Sequence, residues 1–106
     1  MNLQPLKEKL EKVFYADNLY NMARVCRDMA LESNNPAPIF IMQKVFSGIA
    51  DYWEKEPVSV EDANLVQAEL NDSIKSLVNA LEDEASPEEI MELSNKAVSS
   101  YYFLFR

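Results

Sequence analysis

The stretch SVEDANLVQAELNDSIKSLVNALE, from Ser59 to Glu82, decides the fold class. Its apolar residues Ala63, Val66, Leu70, Ile74, Leu77 and Leu81 recur at steps of three and four, which places all six on one stripe of a helix. Ser59 stands where its side chain can cap the first turn, and Glu61 and Asp62 follow where the helix dipole favours negative charge. So regular a stripe requires apolar partners. The helix therefore reads as the hub of a helical bundle.

Upstream, Ser33-Asn34-Asn35-Pro36-Ala37-Pro38 is the strongest breaker in the chain. Each proline disfavours helix in the residue before it, and Pro38 suits a first helical position. A helix is predicted from Pro38 to about Lys55, with Met42, Val45, Phe46, Ile49 and Trp53 inward, Gly48 giving a neighbouring backbone room to approach, and Pro57 as the stop. Before the breaker, Leu6, Leu10, Val13 and Phe14 make one stripe, whereas Leu19, Met22, Cys26, Met29 and Ala30 fall nearly half a turn round from it. That phase slip near Ala16 to Asn18 fits two helices, the second capped by Asp17 or Asn18, or one long helix wrapped on both sides; two helices are favoured.

Downstream, Asp83 to Ala85 is a short acidic connection. Ser86-Pro87-Glu88-Glu89 then has the form of a capping box with proline at the first helical position. The last helix should bury Ile90, Leu93, Ala97, Tyr101 and Leu104. Only one glycine in 106 residues argues against sheet hairpins. The expectation is a single all-α domain over 1–106, an antiparallel four-helix bundle with room for a short additional N-terminal helix.

Charge is unevenly placed: residues 1–50 hold six Lys/Arg and five Asp/Glu, residues 51–106 four and thirteen, within a formal net charge of −8. An acidic field repels nucleic-acid phosphates, so no nucleic acid is expected as a partner. No apolar run reaches the roughly 18–20 residues that cross a bilayer, and no signal peptide is visible. A cytoplasmic protein is expected, with peripheral contact at the inner membrane face left open.

There is no histidine, which removes Ser-His and Cys-His nucleophile pairs and Glu-x-x-His metal ligands. Neither an enzyme nor a bound metal or cofactor is expected. Glu82, Asp83, Glu84, Glu88, Glu89 and Glu92 read as a solvated acidic face, although carboxylates three or four apart can hold a hard cation. Cys26, on the face of Leu19, Met22 and Met29, reads as a small core hydrophobe, and Trp53 as a core anchor. Tyr101, Tyr102, Phe103, Leu104 and Phe105 cannot all face one core. With Tyr101, Leu104 and Phe105 inward, Phe103 points away, to be covered by the first helix, by a partner, or by self-association.

The Asn35-Pro36-Ala37-Pro38 break, the aromatic-bearing helix after it, and Ser59-Val60-Glu61 opening the next amphipathic helix resemble the immunity proteins of pediocin-like (class IIa) bacteriocins, the enterocin A immunity family. The resemblance implies a small cytoplasmic antiparallel four-helix bundle without catalytic residues. Its implied partner is the bacteriocin's receptor, the mannose phosphotransferase permease with bound bacteriocin, met from the inner side of the membrane. Specificity in that family is assigned to the C-terminal part, which marks Tyr102, Phe103 and Phe105 as partner-binding residues. The competing expectation is an acidic helical chaperone or inhibitor that sequesters a basic soluble protein through the Glu82 to Glu92 face.

Overall fold

A computed structural model describes residues 3–12 and 16–104, and all regular structure among them is helical. Five helices follow in order: α1 (Gln4–Leu10), α2 (Ala16–Glu32), α3 (Pro36–Lys55), α4 (Val60–Glu82) and α5 (Pro87–Leu104). The starts follow the capping chemistry. Ser59 Oγ accepts from the Asp62 N–H at 3.1 Å, and Ser86 Oγ from the Glu89 N–H at 3.2 Å. The α3 start lies two residues before the expected one, at Pro36, with Asn35 as N-cap. Both prolines then fall in the first turn, where a missing N–H costs no intrahelical bond and no i−4 helical carbonyl meets the ring. At the other end Glu56, before Pro57, turns extended.

The segment before the breaker is two helices, separated earlier than the phase slip suggests. Asp17 and Asn18 lie inside α2 and do not cap it, and Asn18 is buried. Val13 and Phe14 lie outside the described residues.

α2 and α3 form one helical hairpin and α4 and α5 another, joined where α3 packs against α5. The centre is therefore α3, not α4 as the stripe suggests. It packs on α2 within its own hairpin and on α5 of the other, and buries Ile39, Met42, Val45, Phe46, Ile49, Ala50 and Trp53. The α4 stripe is buried from Val66 to Leu81, with Ala63 half-buried. Its 23 residues, at 1.5 Å each, run most of the 38 Å long axis. The α5 face is shallower than expected: Ala97 is buried, whereas Ile90, Leu93, Tyr101 and Leu104 are half-buried against the core. Gly48 makes room for a side chain and not a backbone, because a Cβ there would run into the Tyr101 hydroxyl.

A seven-residue helix is marginal on its own, and α1 is held by what surrounds it. Leu3, Leu6 and Leu10 are fully buried against α2 and α4. Amides from α4 satisfy carbonyls at its C-terminal end: Gln67 Nε2 donates to Lys12 O at 2.9 Å and Asn71 Nδ2 to Leu10 O at 3.4 Å. Ion pairs Lys7–Glu82 and Lys75–Glu11 set α1 antiparallel to α4. They are half exposed, worth at most about 1 kcal/mol each, so the leucines dominate.

Candidate functional site

The C-terminal end of α5 carries the aromatic residues singled out by sequence. Tyr102 is 63% and Phe103 68% exposed, while Tyr101 and Leu104 turn inward, as the helical period requires. α1 lies on α2 and α4, so it does not provide the cover for Phe103 that was one of the alternatives. Phe105 lies outside the described residues.

Tyr101 crosses to α3 over Gly48 and meets the Tyr102 ring edge-on, centroids 5.4 Å apart. Burial pushes the Tyr101 hydroxyl above its ordinary pKa, with Tyr102 and Asp51 adding to the shift. Asp51 also accepts from Tyr20 Oη at 2.6 Å, which raises the Tyr20 hydroxyl and ties α2 to α3. Both phenols stay neutral at physiological pH and serve as donors and packing surface, not as bases.

Beside Leu104 a cleft of about 330 Å³ opens between the end of α3 and the start of α4, walled by Tyr52, Trp53, Pro57, Val58, Leu65 and Val66, with Glu56 and Asp62 also lining it. Tyr52 and Leu65 are about half exposed. The buried stripes of α3 and α4 do not point to them. The signal was present: each is a large apolar residue standing off its helix's stripe. Trp53 is the core anchor expected, 9% exposed.

The acidic residues do not converge. Glu82 pairs with Lys7, and Glu88 and Glu89 stand in the first turn of α5, where they complement its dipole. Among the described residues no three His, Cys, Asp or Glu side chains are grouped to hold a metal ion. Cys26 is fully buried, and burial pushes its thiol up to about 12; it is core. Among the described residues no helix is long and apolar enough to cross a membrane.

Compared with protein-family models, with curated proteins and with solved structures, the chain matches none.

Proposed function

We propose that the chain is an immunity protein against a pediocin-like bacteriocin. In this reading α2 to α5 are the antiparallel four-helix bundle of that class and α1 is an addition to it. The protein works in the cytoplasm, where Tyr102 and Phe103, with Phe105 beyond them, associate with the mannose phosphotransferase permease holding bacteriocin. Such a function needs a shaped surface and no covalent chemistry. The observation that carries it is the exposure of Tyr102 and Phe103 on the last helix, the part to which the resembled family assigns specificity; aromatic residues of this kind are the usual anchors of protein interfaces.

The test is survival of a sensitive strain expressing the protein and challenged with a panel of pediocin-like peptides. Selective protection against one or a few peptides is expected. Replacing Tyr102 and Phe103 by alanine should abolish it while helicity by circular dichroism is retained. Failure of the folded, abundant protein to protect against any peptide refutes the function. Protection undiminished in the double variant refutes the site.

A further inference from the structure

At the opposite end of α5, roughly 24 Å from Phe103 at 1.5 Å per residue, two further clefts meet. One of about 570 Å³ lies where α2 and α4 end, lined by Glu32, Asn35, Leu81, Glu84 and Ile90 among others. The other, about 360 Å³ and largely apolar, runs between the starts of α3 and α5, where Ala37, Pro38, Ile41, Ile90 and Met91 form its walls. Asn35 and Ile90 belong to both. Together they make one groove with an apolar half and an acidic half. Met91 is 66% exposed, a flexible side chain suited to covering an apolar ligand face.

Three features give the acidic half its sign. Glu32 and Glu84 supply formal charge. Two helix C-termini point their negative dipole ends at the cleft, and neither α2 nor α4 carries a basic residue in its last turn to offset them. The helix starts at this end do little to cancel this. Pro36 and Pro38 remove two of the N–H groups that α3 would otherwise present, and α5 meets Glu88 and Glu89 in its own first turn.

Glu84 is also the one non-glycine residue among those described with positive φ, 54°. It occupies the left-handed position of a Schellman turn, with the Ala85 N–H donating to Ala80 O at 2.9 Å and the Glu84 N–H to Leu81 O at 3.3 Å. Glycine takes that position without strain. Keeping a glutamate there sets a carboxylate at the cleft at a cost in stability, and such outliers cluster at binding surfaces.

We propose that this groove is a second docking surface, whose occupant is a peptide segment with an apolar face leading into a Lys/Arg-bearing end: the apolar face lies on Pro38, Ile41, Ile90 and Met91, and the cationic end reaches Glu32, Glu84 and the C-termini of α2 and α4. The occupant is defined by charge complementarity, since an uncharged apolar segment would leave the acidic half unanswered and an acidic one would be repelled. The surface is separate from Tyr102 and Phe103 and does not depend on their role.

The test uses the full chain and a synthetic amphipathic peptide of about 12 residues, long enough for three helical turns, with leucines on one face and lysines at one end. An isomer of the same composition with its leucines scattered is the control. The ordered peptide is expected to bind at least about tenfold tighter, more weakly as salt rises, and to shift the amide resonances of Glu84, Ile90 and Met91. Glu84→Gly and Met91→Ala should each weaken it severalfold, and Glu61→Gln, remote at the start of α4, should not. Because Glu84→Gly relieves strain, it should bind less while melting higher, so poor folding cannot account for the loss. Equal binding of both peptides, an equal loss with Glu61→Gln, shifts centred on Tyr102 and Phe103, or full affinity in Glu84→Gly overturns the proposal.

Discussion

Replacing Glu84 by glycine should stabilise the protein, and the size of the gain follows from one torsion. At φ 54° an L-residue brings its Cβ close to the following carbonyl oxygen, at about 1–2 kcal/mol. Glycine avoids that cost but gives up about 0.5–1 kcal/mol through the greater freedom of its unfolded chain. Removing a carboxylate beside Glu82 and Asp83, just past the negative end of α4, adds a few tenths of a kcal/mol. The net expectation is a gain of about 0.5–1 kcal/mol, or roughly 3–6 °C in Tm for a domain of this size. Urea and thermal unfolding by circular dichroism measure it, with the slope m unchanged. Glu84→Ala keeps the strain and Glu84→Gln isolates the charge, so both should stay within about 0.5 kcal/mol of the parent. If Glu84→Gly were no more stable than Glu84→Ala, the backbone argument would be wrong.

Gly48→Ala should destabilise, because the added methyl meets the Tyr101 hydroxyl: overpacking of about 1–3 kcal/mol exceeds the roughly 1 kcal/mol of helix propensity gained. Tyr101→Phe removes the nearest clashing atom, so a double-mutant cycle should show a favourable coupling of about 1 kcal/mol; additivity refutes the contact. Leu6→Ala should cost about 2–5 kcal/mol by chemical denaturation, since this side chain is fully buried under α1, and a loss below about 1 kcal/mol would mean α1 is not docked as described. Cys26, pushed up to about 12 by burial, binds its proton more tightly folded than unfolded, where thiols titrate near 8.5. The stability this confers is complete below that lower value and is lost as pH rises toward 12, at up to about 1.4 kcal/mol per pH unit. Cys26→Ala should flatten this alkaline slope, and an unchanged slope refutes the assignment.

Local signals were legible at some boundaries and misleading at others: Asp17 and Asn18 lie inside α2 and do not cap it, and α3 starts at Pro36 and not at Pro38. Ser59, Ser86 and Pro57 mark helix ends because caps and a missing N–H act within a turn, and Phe103 could be placed outside by period alone. What the sequence did not reveal lies between helices. The α4 stripe is the most regular, yet it does not mark the centre: regularity reports one buried face, while α3 packs along α2 in its own hairpin and crosses to α5 in the other. The partner of α1 was equally hidden. Its three leucines suit any apolar groove, and the choice of α4 is made by Gln67 and Asn71 reaching carbonyls at Leu10 and Lys12, polar residues that no hydrophobic pattern counts.

The acidic stretch shows most clearly how position divides a run that reads as uniform. Glu82, Asp83, Glu84, Glu88, Glu89 and Glu92 look like one solvated face in the sequence. Folding sends Glu82 toward Lys7 and leaves Glu88 and Glu89 to complement the α5 dipole. Glu84 alone of these lines the cleft, and Glu32, some fifty positions earlier, joins it there. Their meeting depends on two helix C-termini coming together, which no spacing rule within one helix contains. Of the six, Glu84 is also the one whose replacement should strengthen the fold, by the torsion argument above. If stability were the only demand on this turn, glycine would serve it better; weaker peptide binding by a more stable Glu84→Gly protein would identify the demand that keeps the carboxylate.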